Sequence, residues 1–109
     1  MKRGDLVTIV VTGDFGKPRP ALIIQSDLFS KHPTVTVLPL TSHLELENAP
    51  YIRIQIEPTP ANGLRKTSQI MIDKTVTVRR EKIGSVIGHI SEEALFTVHR
   101  ALMVFFGLS

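Results

Sequence analysis

Strict alternation is the plainest signal in the chain. In "YIRIQI", Tyr51–Ile56, the isoleucines Ile52, Ile54 and Ile56 face one way and Tyr51, Arg53 and Gln55 the other. That period of two is what a half-buried strand requires. Val35–Leu40 in "PTVTVLPL" alternates apolar residues with threonine, and Pro39 predicts an edge or a bulge near its end. Leu6–Thr12 is β-branched and apolar, Ala21–Gln25 is a short apolar run, and Ser68–Ile72 ("SQIMI") is another. Thr75–Val78 and Lys82–Ile87 read as short strands, Asp27–Ser30 as a helical turn, and "EPTPANG" as a turn-rich loop. Short strands at this spacing predict a mainly β chain, a small barrel or strongly bent sheet rather than a parallel α/β fold.

The period changes at the C-terminus. In "SEEALFTVHRALMVFFG", Ser91 is placed to cap a helix, and Glu92 and Glu93 fall in a first turn where the helix dipole favours anions. Gly107 is placed to end the helix. Leu95, Val98, Leu102 and Phe105 share one face at helical spacing. Phe96, Met103, Val104 and Phe106 are apolar as well, so the last turns are greasy on nearly every side. A small barrel cannot cover a helix all round. Either the end is tucked in or part of it meets another chain.

Composition narrows the classes. At 109 residues the chain is long enough for one modest core, and we expect a single domain over residues 1–109. It has no cysteine, which rules out disulfides and cysteine metal sites and fits a reducing cytoplasm. No stretch approaches the roughly 18 apolar residues of a membrane span, so no membrane partner is expected. "MKRGDLVTIVVTGD" has basic residues before a short apolar run, but it alternates with threonine and lacks a small-residue cleavage site, so a first strand is expected. The formal net charge of +3 permits a nucleic-acid partner without demanding one.

One segment stands out locally. In "GDFGKPRPALIIQSD", Lys17 and Arg19 each precede a proline. Proline holds its own φ near −65° and pushes the preceding residue into the extended region. A loop at Gly13–Gly16 should therefore lead into a stiff neck, Lys17–Pro20, and then a strand. On this segment alone, Arg19 reads equally as a solvated charge at a strand entry.

The chemistry-bearing motifs are mostly absent. His32, His43, His89 and His99 have no metal-ligand spacing. "GDFGK" lacks the spacing of a phosphate loop and leads into a strand, and there is no G-x-S-x-G elbow. What remains is polar residues at strand ends: Asp14 and Arg19; Thr41, Ser42 and His43; Asp73 and Lys74. If neighbouring strands run antiparallel, these ends can converge on one rim. They offer a guanidinium, hydroxyls and a carboxylate, a set suited to binding and cleaving a phosphodiester.

The order of segments carries a resemblance. "RGDLV", "GKPRPALIIQSD", "VTVLPLTS", "SQIMIDKTVTVRREKIG" and a short helix follow one another along the whole chain. In this order they resemble the MazF/PemK family of toxins from bacterial toxin–antitoxin pairs, most specifically in the block around Arg19. The resemblance implies an SH3-like β-barrel with a C-terminal α-helix and a cytoplasmic homodimer. It implies a metal-independent endoribonuclease without cofactor that cuts single-stranded RNA, chiefly messenger RNA, at short sequences. It also implies a cognate, MazE-like antitoxin that blocks the RNA groove. Matched position by position, Arg19, Thr41 and Asp73 become the candidate catalytic residues. Ser42 would lie at the phosphate beside Thr41, and Asp14 matches an acidic loop residue of several members. Some members carry a histidine in the first loop; this chain has none between Val11 and Arg19.

Metal-free RNA cleavage uses the 2′-hydroxyl as an internal nucleophile and leaves a 2′,3′-cyclic phosphate and a 5′-hydroxyl. A guanidinium, always charged and able to grip two oxygens, suits the developing charge on phosphorus. Thr41 and Ser42 can donate to phosphate oxygens, and Asp73 is the best-placed carboxylate for a general base. Phe15, Lys17, Arg53 and Lys74 are candidates for gripping RNA, with Tyr51, Arg65 and Lys66 as further ones; each also reads as a solvated barrel residue. Arg79, Arg80 and Lys82 form the densest basic run, by default a solvated turn, with binding to the RNA backbone as the second reading. Two other readings remain: a toxin of the same barrel that binds and poisons DNA gyrase without nuclease activity, and a non-catalytic RNA-binding barrel.

Overall fold

The structure, a computed structural model, describes residues 1–10, 17–44 and 51–108. Among these residues are seven strands and one α-helix: β1 (Asp5–Ile9), β2 (Arg19–Ile23), β3 (Thr34–Thr41), β4 (Arg53–Ile56), β5 (Ser68–Met71), β6 (Val76–Arg79), β7 (Ile83–His89) and α1 (Glu92–Phe105). Every ladder is antiparallel. The sheet runs β4-β5-β3-β2-β1-β7, with β6 also on β3. The fold is mainly β with a C-terminal helix, as expected. It is barrel-like, although among the described residues β4 and β7 form no ladder that would close it.

β1, β2 and the second half of β3, Val37–Leu40, are apolar on both faces because the sheet has a core on each side. Leu6, Leu22, Leu38 and Leu40 join Ile70 and Ile72 in one cluster, capped by Val98 and Ala101 of α1. The alternate residues Val7, Ile9, Ala21, Ile23, Val35 and Val37 form the second, covered by Val76, Val78 and Ile83. A half-buried sheet would have shown polar alternation here; the continuous runs reflect burial on both faces.

Several element bounds shift for physical reasons. β2 begins at Arg19, not Ala21: Arg19 pairs with Ile9 and Pro20 with Thr8, so the stiff neck is already strand. Pro39 lies inside β3, opposite Ala21. On the other edge of β3, pairing with β6 ends at Val37 and pairing with β5 resumes at Leu40. A residue without an N–H costs least at such a break. β4 starts at Arg53 because Tyr51 and Ile52 form a turn, and the Ile52 carbonyl accepts the Ile72 N–H at 3.0 Å. Ile72–Lys74 is a 3-10 turn, which ends β5 at Met71.

The loop Glu57–Gly63 is ordered by one side chain. Buried Asn62 accepts the N–H groups of Thr59 and Leu64 through Oδ1, both at 3.0 Å, and donates from Nδ2 to the Glu57 carbonyl at 2.9 Å. Gly63 follows at φ +69°, where a Cβ would lie 2.1 Å from the Ile87 carbonyl oxygen. Only glycine lets this loop press against β7.

α1 is capped as its sequence predicts. Ser91 accepts the Ala94 N–H at 3.0 Å. At the other end Gly107 takes φ +71°, with its N–H on the Val104 carbonyl (3.1 Å) and the Leu108 N–H on that of Met103 (2.8 Å). This pair of bonds is the Schellman closure. The buried stripe is Val98 and Ala101, flanked by half-buried Ala94, Leu95 and Leu102. Phe105, expected on that stripe, is instead 46% exposed, since the helix has run past the core by its last turn. Phe96, Met103, Val104, Phe106 and Leu108 are exposed as well.

Candidate functional site

The second core face runs out at the ends of β2 and β3, and a cleft of about 400 Å³ opens there. The register Ala21↔Pro39, continued by two residues, sets Arg19 opposite Thr41 on this face. Both line the cleft, together with Lys74 from the 3-10 turn after β5. The rest of the described wall is apolar: Pro39, Leu40, Met71 and Val76. Three chain segments, distant in sequence, thus bring a guanidinium, a hydroxyl and an ammonium to one concave surface.

The hydroxyl is oriented. Thr41 Oγ1 accepts the His43 backbone N–H at 3.1 Å. Its own O–H is therefore the group that it can give to a ligand. Ser42 and Lys17 are exposed beside these strand ends but do not line the cleft. Asp14, Phe15 and the Gly13–Gly16 loop lie outside the described residues.

Asp73 and Arg53 are brought together rather than spread along an RNA path. Arg53 Nη1 donates to Asp73 Oδ1 in a close ion pair and also to the Ile52 carbonyl at 2.8 Å. The Arg53 side chain is largely buried by these contacts, whereas a grip on RNA would require it to reach outward. Asp73 lies between two cleft residues, Met71 and Lys74, but does not itself line the cleft; its second oxygen, Oδ2, is left for another donor.

Reading the sequence missed the cleft's apolar wall. The signal was present in "SQIMI": period two separates Met71 and Gln69 from the core residues Ile70 and Ile72. Arg80 was also misjudged as solvated. Its Nε donates to the His32 carbonyl at 2.8 Å, and its backbone N–H to that of Pro33 at 2.9 Å, so it clamps the turn that enters β3. Arg79 and Lys82 are exposed, as are Tyr51, Arg65 and Lys66. Among the described residues no three His, Cys, Asp or Glu side chains converge so as to hold a metal ion, and no helix is long and apolar enough to cross a membrane.

Fold and cleft together define a small antiparallel barrel-like protein with a guanidinium, an ammonium and a hydroxyl in one cleft at its strand ends. The profile of the PemK-like, MazF-like toxins of type II toxin–antitoxin systems matches residues 2–106. The "Probable endoribonuclease MazF" of Mycolicibacterium smegmatis is 46% identical over 110 residues, covering 100% of this chain and 99% of its own length. "Endoribonuclease EndoA" of Bacillus subtilis is 27% identical over 109 residues, covering 95% of this chain and 92% of its own length. A solved structure described as an endoribonuclease in complex with its cognate antitoxin, from a mycobacterial species, superposes with a TM-score of 0.82 at 18% identity; it covers 100% of this chain and 97% of that one and bears on the fold alone. The chain belongs to the PemK-like, MazF-like toxin family.

Proposed function

We propose that this protein is the toxin of a type II toxin–antitoxin pair and an endoribonuclease that cuts single-stranded messenger RNA in the cytoplasm, residues 1–109 acting as one toxin domain. The observation that carries the reading is the meeting of Arg19 and Thr41, from neighbouring strand ends, on one cleft. The endoribonuclease names of the relatives support the same reaction over a gyrase-binding role.

In the reaction the 2′-oxygen attacks phosphorus. The P–O2′ bond forms and the P–O5′ bond breaks, leaving a 2′,3′-cyclic phosphate and a 5′-hydroxyl. Arg19 meets the charge that grows on the non-bridging oxygens, and Thr41 donates to one of them. Asp73 Oδ2 takes the 2′-hydroxyl proton, while Arg53 holds the other carboxylate oxygen in place. The leaving 5′-oxygen is protonated from water or by Arg19. No step requires a metal. Lys17 and Ser42 grip the backbone on either side, Lys74 holds the RNA from within the cleft, and Asp14 and Phe15 serve the same strand from the first loop.

The apolar side chains left exposed along and just after α1, Phe96, Phe105, Phe106 and Leu108, support a homodimer, since such surface marks protein–protein contact. A MazE-like antitoxin is the expected inhibitor.

The test is incubation with a long RNA in EDTA, with the ends mapped by primer extension. We expect discrete cuts bearing 5′-hydroxyl ends, slowed about 10²–10³-fold in Arg19→Ala. Intact RNA, or cutting unaltered in that variant, would sink the proposal.

A further inference from the structure

A surface that gripped only an RNA backbone would be lined with cations and amides. Here four of the seven described lining residues are apolar. Pro39 and Met71 come from adjacent strands, β3 and β5, and Val76 from the start of β6. They form a wall beside Thr41 and Lys74. Phosphate gains nothing from such a wall; the flat face of a nucleobase does, through dispersion and through contact with the Met71 sulfur. A volume of about 400 Å³ falls in the range of roughly 300–1,000 Å³ that encloses small ligands.

The charged groups next to this wall have one character. Lys74 has only donors to offer. Thr41 Oγ1 accepts the His43 N–H, and its single O–H serves the phosphate. Arg19, the third polar member, is also a donor only. Among the described lining side chains only the Thr41 oxygen can accept, and it already takes the His43 N–H. Uracil and guanine carry carbonyl oxygens where cytosine and adenine carry amines.

We infer that the cleft is a base pocket that takes one unstacked, carbonyl-bearing nucleobase, uracil or guanine, against Met71, and that Met71, with the donor-only ammonium of Lys74, determines sequence specificity. This rests on the reading of the cleft as an RNA site and adds which base it accepts. The nucleotide whose phosphate lies at Arg19 places its base on Met71. An amine-bearing base in the same place faces donors with donors and loses its own hydrogen bonds to water.

The chain's three methionines, Met1, Met71 and Met103, make the test direct. The protein is labelled with methyl-¹³C methionine and its signals are assigned by single Met→Leu substitutions. It is then titrated with three non-cleavable single strands: 2′-O-methyl oligouridylate, 2′-O-methyl oligocytidylate and an abasic oligonucleotide of equal length. The expected result is an upfield ring-current shift of the Met71 methyl with oligouridylate, none with the abasic strand, and Met1 and Met103 unmoved. Oligouridylate should bind at least about fivefold more tightly than oligocytidylate. Met71→Ala should weaken oligouridylate about three- to tenfold and leave the abasic strand unchanged, while Met71→Leu, which keeps the wall, restores binding. Equal affinity for the two pyrimidine strands overturns the inference. So does an equal Met71 shift with and without bases, a shift confined to Met1 or Met103, or no binding. If the Met71 pattern is obtained while RNA in EDTA stays intact, the base pocket stands and the ribonuclease proposal falls; if RNA is cut but Met71 does not respond, the reverse holds.

Discussion

Replacing Thr41 by valine removes one hydroxyl and keeps the shape. Valine is β-branched like threonine and suits the last position of β3. The lost bond is the one that Thr41 Oγ1 accepts from the His43 N–H, and His43 is exposed, so water can replace it. Stability should therefore fall by less than about 1 kcal/mol, a melting shift of under about 8 °C for a domain of this size. The effect on the reaction is different in kind. At the transition state the O–H points at an oxygen that is gaining charge, and a hydrogen bond to a charged group contributes about 1.5–3 kcal/mol. At tenfold per 1.36 kcal/mol, cleavage should slow by roughly 10–150-fold. Single-turnover cutting of a short RNA with one site, in EDTA, reads this directly, and Thr41→Ser should recover most of the rate. A Thr41→Val protein that melts normally and cuts within about threefold of the parent would refute the assignment, because no hydrogen bond to a charged oxygen would then have been lost.

Other consequences follow from the same geometry. Gly63→Ala places a Cβ against the Ile87 carbonyl oxygen at a positive φ, and should cost about 2–6 kcal/mol; thermal melting checks it, and a midpoint within about 3 °C of the parent refutes it. Ser91→Ala removes the cap on the Ala94 N–H and should cost about 0.5–2 kcal/mol, with Ser91→Asp restoring it in the same melt. Asp73→Asn keeps a partner for Arg53 but removes the carboxylate that takes the 2′-hydroxyl proton, so cleavage should fall at least about a hundredfold in the same assay; a smaller loss refutes that role. His99 accepts from Arg3 Nε at 3.0 Å, so it must be neutral at Nε2; burial first, and then the Arg3 charge, hold its pKa below 6.5. Arg3 is in turn fixed by Asp27, which accepts its backbone N–H at 2.9 Å. A lowered folded-state pKa means stability that is complete above pH 6.5 and is lost as pH falls through the folded value. The melting midpoint should therefore drop on acidification below 6.5, and His99→Gln should flatten that part of the profile.

What the chain shows by itself is what is local. Backbone preference and side-chain period are set by a few consecutive residues. That is why the strands, the Ser91 cap and the Gly107 stop are readable, and why the segment order from "RGDLV" to the helix carries the family. Arg19 and Thr41 could be nominated from that order. Their meeting could not be derived, because it depends on the β2–β3 register, a long-range property. Met71 was legible only as one more apolar residue of a strand. Its exposure to the cleft follows from β5 being covered on the Ile70 side and open on the other. Arg53 and Asp73 looked like two separate polar strand-end residues, and the 3-10 turn after β5 folds them into one ion pair. Phe105 matched the helical stripe because a sequence does not reveal where the core ends beneath a helix. Elements follow from neighbours along the chain, but a site follows from neighbours across it, and only the tertiary fold decides which residues those are.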